Sequence, residues 1–141
     1  MTSPMSGTPR LEYTGEGLVE ETLPSSPFPL ALDWLAAAQE RALQVGDLIE
    51  PATILLGTVS ASGMPSVRPV LMRIFDENGP GFYSHLGSRK ANDIAANPQV
   101  AASLVWPSLF RCIHFRGVAA RASDDVVARY WDSRPRGAQI S

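Results

Sequence analysis

Short apolar segments separated by turn residues make up most of the chain after Pro51, and they limit the fold more than any other feature of the sequence. Their length and their content of β-branched and aromatic residues are typical of strands. Asp76-Glu77-Asn78-Gly79 predicts a tight hairpin turn, because Asn-Gly tolerates the positive φ that both central turn positions require. The predicted strands are Ala52–Ser60, Ser66–Phe75, Gly81–His85, Gln99–Trp106 and Leu109–Arg121.

Helical periodicity is found in three segments around these strands. The first begins at Pro29 and ends before Gly46. A short helix is predicted over Ser88–Asn97, and Ser123 begins a last helix over Asp124–Ser133, whose acidic first residues suit the positive end of a helix. The fold class is therefore mainly β with peripheral helices, built as a small and mostly antiparallel barrel. The predicted inward face of the first helix is Leu32, Leu35, Ala36, Gln39 and Leu43.

The composition is that of one ordinary globular domain. At 141 residues, 45% of them hydrophobic, the chain is long enough for a core that needs neither metal nor disulfide. A formal net charge of −2 argues against nucleic-acid binding. Cys112 is the single cysteine, which excludes an internal disulfide and a cysteine-based zinc cluster, and no metal is predicted. Because neither a membrane-spanning apolar run nor a signal peptide is visible, a cytoplasmic location is expected.

The N-terminal region differs from the rest of the chain. Residues 1–28 are rich in Ser, Thr, Pro, Gly and Glu and lack periodic apolar content, which predicts a flexible arm. Residues 29–141 carry the helical and strand patterns and form the predicted barrel domain. The expected organisation is an arm followed by one domain.

A candidate anion site lies at Gly87-Ser88-Arg89-Lys90, where the short helix begins. Ser88 can cap the helix, and the unpaired N–H groups of the first turn point outward. Arg89 and Lys90 add positive charge there, and this combination suits a phosphate. The same residues could also form a capped and solvated first turn with no ligand, and the sequence leaves both interpretations open.

Two arginines, Arg68 and Arg73, interrupt the otherwise apolar second strand. Residues five apart face opposite ways in a regular strand, while Pro69 between them could mark a bulge or an edge. Whether both arginines reach one ligand therefore stays open. His85 and His114 lack the partners of a catalytic set at any recognisable spacing. Each is interpreted as a hydrogen-bonded strand residue, and no catalytic residue is identified.

Six separated motifs follow one another along the chain: Arg10-Leu11-Glu12-Tyr13 with Gly17-Leu18, Arg68-Pro69-Val70-Leu71-Met72-Arg73, Phe82-Tyr83-Ser84, Gly87-Ser88-Arg89-Lys90, Asn97-Pro98, and Ser133-Arg134-Pro135-Arg136 with Gln139-Ile140. In this order and spacing they resemble the pyridoxamine 5'-phosphate oxidase family. The resemblance implies an FMN-binding split β-barrel that works as a homodimer. It also implies oxidation of pyridoxamine or pyridoxine 5'-phosphate by O2, giving pyridoxal 5'-phosphate and H2O2.

The resemblance assigns roles to particular residues. Flavin contacts would be made by Arg68, Val70, Leu71, Arg73, Tyr83, Ser84, Arg89 and Lys90. Tyr130 and Arg134 would meet the substrate phosphate, and the N-terminal arm would close over the pyridine ring. The full set of implied substrate contacts is Arg10, Tyr13, Arg73, Tyr130 and Arg134.

The sequence departs from the family pattern at several points. Arg73 stands where the family has Lys, Cys112 where it has a flavin-contacting Gln, and Ala138 where it has a Ser that helps hold the substrate phosphate. The family also continues beyond the position of Ser141 with further flavin and substrate residues, so we expect this chain alone to oxidise the substrate poorly. Two alternatives are another split-barrel flavin or deazaflavin oxidoreductase, and a flavin- or pyridoxal-phosphate-binding protein without turnover.

Overall fold

The structure, a computed structural model, describes residues 9–140 and is mainly β and antiparallel, as the sequence predicts. Four helices surround six strands in this range. The strands are β1 (Thr53–Val59), β2 (Pro65–Leu71), β3 (Ile74–Asp76), β4 (Gly79–Gly81), β5 (Gln99–Trp106) and β6 (Arg111–Val118). The helices are α1 (Pro27–Gln44), α2 (Arg89–Ala96), α3 (Asp124–Ser133) and α4 (Arg136–Ile140).

The strands form a four-stranded antiparallel sheet and a separate hairpin. The sheet has the order β2-β1-β5-β6, and β3 pairs with β4. Each neighbouring pair in the sheet keeps one register along its length, for example from Thr53 opposite Leu71 to Val59 opposite Pro65. The hairpin packs against β6, because the ring of Phe75 meets that of Phe115 edge to face at 5.9 Å between centroids. The molecule is thus a sheet with a short second sheet folded against it.

One face of the large sheet forms the core, and the other is exposed. Along β1 the burial alternates, so that Ile54, Leu56 and Thr58 point inward while Leu55 is 44% exposed. The apolar residues of β1 thus point to both sides of the sheet, and the helices cover only one of those sides. The core residues are Leu35, Ala38, Ile54, Leu56, Met72, Ala102, Leu104 and Trp106.

The predicted second strand is in fact two strands, and this prediction was wrong in its length. Met72 N donates to Ala52 O at 2.9 Å and so continues the pairing with β1, whereas Arg73 N donates to Gly81 O at 2.8 Å. The chain therefore leaves one sheet for the other at these two residues. The third predicted strand ends at Gly81 rather than His85.

The hairpin turn forms where predicted but with a different backbone. Among the described residues of Asp76-Glu77-Asn78-Gly79, Gly79 alone has positive φ, at 111°. The Oδ1 atom of Asp76 accepts a hydrogen bond of 2.8 Å from Asn78 N. Of the two residues to which the sequence argument gave positive φ, Gly79 has it and Asn78 does not, and the side chain of Asp76 supports the turn.

α1 begins at Pro27, two residues earlier than predicted, because Ser26 Oγ accepts from Phe28 N at 3.4 Å and proline suits the first helical position. Its buried residues are Ala31, Leu35 and Ala38. Of the predicted inward face only Leu35 is buried. The buried stripe runs from Ala31 through Leu35 to Ala38, at spacings of four and three residues, and so lies on a different side of the helix from the predicted one.

The loop after α1 is held by an ion pair on the surface. Arg41 Nη2 lies 2.6 Å from Asp47 Oδ2, and this hydrogen bond lowers the pKa of Asp47. Both side chains are about one third exposed, so solvent screens the attraction and the pair adds little stability. Its effect is local: it fixes the path of the chain from α1 towards β1.

The chain ends are described in part. Residues 1–8 of the predicted N-terminal arm, and Ser141, lie outside the described residues. Residues 9–26 are exposed and include one short 3₁₀ turn at Glu20–Thr22. Within residues 9–140 no helix combines the length and the apolar character needed to cross a membrane.

Replacing Leu104 by Ala should lower the free energy of unfolding by about 2–5 kcal/mol, because the side chain is fully buried and its loss leaves a cavity. Urea unfolding followed by tryptophan fluorescence measures this. The same change at Leu43, which is 89% exposed, should cost less than about 0.5 kcal/mol. Similar losses at both positions would contradict the assignment of the core.

Candidate functional site

The first turn of α2 is the first part of the candidate site. Ser88 is the N-cap, and its Oγ accepts from Ala91 N at 3.3 Å, as the sequence predicts. Ser84 Oγ lies 3.0 Å from Ser88 Oγ and so closes the loop that leads into the helix. Arg89 is exposed and Lys90 half-buried at this N-terminus. Backbone N–H groups and two cations therefore share one end of the helix, an arrangement that attracts anions.

Arg68 supplies the second part, and it points inward from β2. Its Nη1 donates to Thr58 Oγ1 at 2.7 Å and to Leu56 O at 3.2 Å. Its Nη2 lies 3.6 Å from Asp93 Oδ2 on α2. Since Arg89 precedes Asp93 by four residues, the two lie on the same side of α2, one turn apart. Arg68 therefore approaches α2 one turn beyond Arg89.

Thr58 and Asp93 are functional candidates that the sequence argument missed. Thr58 is 1% exposed and Asp93 is 6% exposed. Thr58 Oγ1 donates to Asp93 Oδ2 at 2.7 Å and accepts from Arg68. Thr58 has the same parity in β1 as the core residues Ile54 and Leu56, so a buried hydroxyl needing partners was a usable signal. The sequence carries no such signal for Asp93, because nothing local distinguishes it from an exposed aspartate on a helix.

Arg73 does not share the environment of Arg68. It lies in the link between β2 and β3 and is exposed. The register of β1 with β2 is unbroken through Pro69, so no bulge changes the direction of Arg68. The change of direction comes after Leu71, where the chain crosses to the hairpin. Val70, which lies on β2 with Arg68, packs against the core.

A predicted flavin contact, Tyr83, and a predicted substrate contact, Tyr130, lie against each other. The rings of Tyr83 and Tyr130 stack with centroids 3.6 Å apart and an interplanar angle of 4°. Tyr83 Oη also donates to Val126 O at 3.4 Å, which holds α3 beside the loop before α2. The guanidinium carbon of Arg134 lies 5.9 Å from the ring centroid of Tyr130 and 5.6 Å from that of Trp131. Tyr83, a predicted flavin contact, thus forms one cluster with Tyr130 and Arg134, which are both predicted to meet the substrate phosphate.

The N-terminal candidates lie elsewhere. Tyr13 meets Phe110 edge to face at 5.3 Å between ring centroids, next to the turn between β5 and β6. Arg10 is exposed. The structure therefore gives Tyr13 a partner outside the cluster of Tyr83 and Tyr130, and a substrate role for Arg10 and Tyr13 stays a prediction.

His114 is a hydrogen-bonded strand residue, as predicted, whereas His85 lies in the loop before α2. His114 Nδ1 lies 2.8 Å from Ser103 Oγ, and its Nε2 lies 3.5 Å from Cys112 Sγ. Cys112 is exposed on β6. These side chains belong to the uncovered face of the large sheet.

That uncovered face carries a broad apolar groove. The groove has a volume of about 500 Å³ and runs across β2, β1 and β5 to Arg116 on β6. Val67 is 69% exposed and Val105 is 45% exposed on the same face. Leu55 on β1, between these two strands, is 44% exposed, so the exposed apolar side chains of this face extend over three adjacent strands.

The fold and the site define a class: a mostly antiparallel split β-barrel with cationic side chains gathered at a helix N-terminus. The family model described as pyridoxamine 5'-phosphate oxidase matches residues 41–141. The chain belongs to the pyridoxamine 5'-phosphate oxidase family.

Relatives of known name agree with this assignment. The pyridoxine/pyridoxamine 5'-phosphate oxidase of Aeromonas hydrophila is 38% identical over 132 residues, which cover 94% of this chain and 60% of the relative. The protein of the same name from Streptomyces avermitilis is 40% identical over 131 residues, with 93% and 58% covered. The chain thus spans about three fifths of the length of the curated relatives it matches.

Solved structures confirm the split β-barrel fold. PhzG from Burkholderia lata, in complex with tetrahydrophenazine-1-carboxylic acid, matches with a TM-score of 0.74 and 25% identity, over 85% of this chain and 58% of that one. A pyridoxamine 5'-phosphate oxidase-related, FMN-binding protein from Nostoc punctiforme matches with a TM-score of 0.64 and 20% identity, over 82% and 62%. The second likeness supports the fold alone.

Proposed function

We propose that this chain forms the FMN-binding part of an enzyme that oxidises pyridoxamine or pyridoxine 5'-phosphate with O2 to pyridoxal 5'-phosphate and H2O2. The observation that carries this proposal is the stack of Tyr83 on Tyr130. It brings a residue assigned to the flavin into contact with one assigned to the substrate phosphate. Two ligands that must react with each other need adjoining sites, and this contact supports such an arrangement.

The residues at α2 fit the phosphate of FMN. Nη1 makes both of the described hydrogen bonds of the Arg68 guanidinium, so Nε and Nη2 remain to donate to a phosphate. Arg89, Lys90 and the N–H groups that follow Ser88 add further donors. The proposed flavin contacts are Arg68, Val70, Leu71, Arg73, Tyr83, Ser84, Arg89 and Lys90.

The remaining side chains would hold the substrate. Tyr130 and Arg134 would bind its phosphate, and Arg10 and Tyr13 would close over its ring. Arg73 would be a further substrate contact. FMN, when bound, would supply the hydride acceptor and the route of the electrons to O2. The protein's part in this proposal is to position the two ligands and to exclude water, and no side chain is assigned a catalytic role. A cytoplasmic location remains a prediction.

The uncovered sheet face supports a homodimer. A second copy placed on this face would cover Leu55, Val67 and Val105, which otherwise leave apolar surface in water. A flavin site at such an interface would then receive side chains from both copies. This is the arrangement that the family resemblance implies.

The second candidate function is an oxidoreductase of the same fold with a different substrate. The observation that favours it is the likeness to PhzG, whose structure holds tetrahydrophenazine-1-carboxylic acid, a ligand without phosphate. Turnover of pyridoxamine 5'-phosphate separates the two candidates.

Replacing Arg89 and Lys90 together by Ala should weaken FMN binding by about a hundredfold or more, since each bond to the phosphate is worth about 1.5–3 kcal/mol. Riboflavin, which lacks the phosphate, should lose much less. Fluorescence titration of both flavins measures the difference. The control is the double change Arg121→Ala and Arg129→Ala, which removes the same charge from exposed positions. Equal losses for the two flavins would place the phosphate elsewhere.

The 141-residue chain loaded with FMN should oxidise pyridoxamine 5'-phosphate slowly, because the family's remaining substrate contacts are not among its residues. A fusion of this chain to the C-terminal segment of the Aeromonas hydrophila relative should turn over much faster. Peroxide release and pyridoxal 5'-phosphate absorbance give the two rates, with bound FMN as the check on folding. A fusion that binds FMN but releases neither product would contradict the proposed reaction.

Replacing Val67 by Glu should convert the dimer to a monomer, because the charge would be buried without a partner at the interface. Analytical ultracentrifugation at micromolar concentration measures the mass. Leu32→Glu, an exposed apolar position on α1 behind the opposite sheet face, should leave the dimer intact. A wild-type chain that sediments as a monomer at this concentration would rule the dimer out.

A further inference from the structure

Arg68, Thr58 and Asp93 form a buried polar network between β2, β1 and α2. Thr58 stands between the other two: its hydroxyl accepts from Arg68 Nη1 at 2.7 Å and donates to Asp93 Oδ2 at 2.7 Å. The direct approach of Arg68 Nη2 to Asp93 Oδ2 is 3.6 Å. A closed guanidinium–carboxylate bond is about 2.7–2.9 Å long, so the arginine and the aspartate are held apart.

Because the network is buried, Arg68 and Asp93 would pair directly if the Thr58 hydroxyl did not lie between them. The Asp93 side chain is 7% exposed and that of Arg68 is 22% exposed. A carboxylate with so little water around it takes the strongest donor within reach. Thr58 satisfies it with a neutral hydroxyl, and the guanidinium keeps part of its donor set for another anion.

We propose that Thr58 is a positioning residue for the phosphate of the flavin: its hydroxyl stops Arg68 from closing on Asp93 and so keeps the guanidinium available to the ligand. This inference rests on the proposed FMN site. It goes beyond that site because Thr58 and Asp93 bind the arginine rather than the ligand. The roles are distinct: Asp93 holds the hydroxyl, Thr58 holds the arginine, and Arg68 meets the phosphate.

Removal of the hydroxyl should redirect Arg68. In Thr58→Val the side chain keeps its shape, but Asp93 loses its 2.7 Å donor. The nearest remaining described donor is Arg68 Nη2, so the ion pair closes and Nη2 is withdrawn from the phosphate. Binding of the phosphate should suffer while binding of the flavin ring should not.

The experiment compares the dissociation constants of FMN and riboflavin for the whole chain. In Thr58→Val the constant for FMN should rise about tenfold, the loss of roughly one charge-assisted bond, and that for riboflavin by less than about twofold. Thr58→Ser, which keeps the hydroxyl, should restore the wild-type ratio. Thermal unfolding of each variant measures any general damage, and Thr58→Ala replaces the valine variant if that one does not fold.

A second comparison tests whether Thr58 acts through Arg68. In an Arg68→Ala background, Thr58→Val should leave the ratio of the two constants unchanged. If Thr58→Val lowers the preference for FMN over riboflavin just as far in the Arg68→Ala background, the role of Thr58 is overturned. Equal losses of affinity for both flavins in Thr58→Val overturn it as well. Either result leaves the FMN site in place. A wild-type chain that binds riboflavin as tightly as FMN overturns the phosphate site and this role with it.

Discussion

The buried carboxylate of Asp93 is the constraint on which the arrangement of the site depends. Asp93 is the one buried residue of α2, so this helix is anchored to the sheet largely by a polar contact. Such a contact is directional, because the hydrogen bond that Asp93 accepts from Thr58 at 2.7 Å requires a defined position of α2 against β1. The cationic first turn of α2 is therefore held at one place beside β2.

The two faces of the large sheet have different roles. The face covered by α1 is filled by large side chains such as Leu104 and Trp106 and supplies the stability of the fold. The other face is apolar without being covered, and it carries the groove. A strand with alternating burial can serve both purposes at once, since neighbouring residues point to opposite sides. Leu56 and Leu55 in β1 illustrate this division.

Sequence reasoning succeeded where the signal is local. The range of β5, the cap at Ser88 and the turn at Asp76–Gly79 each depend on a few adjacent residues, and each forms where it was predicted. It failed where a distant partner decides. The break after Leu71 arises because Met72 and Arg73 bond to different strands, and no pattern within the segment shows that. The inward face of α1 was shifted for the same kind of reason.

The sequence by itself determined that the chain is an antiparallel, mainly β domain of one family, because alternation, turns and ordered motifs are properties of neighbouring residues. Only the tertiary structure decided that Arg68 points inward to Thr58 and Asp93 and that Tyr83 stacks on Tyr130. These partners are 10 to 47 positions apart in the sequence. The physical reason is that a side chain's partners are set by how helices pack on sheets, and packing depends on the whole chain at once.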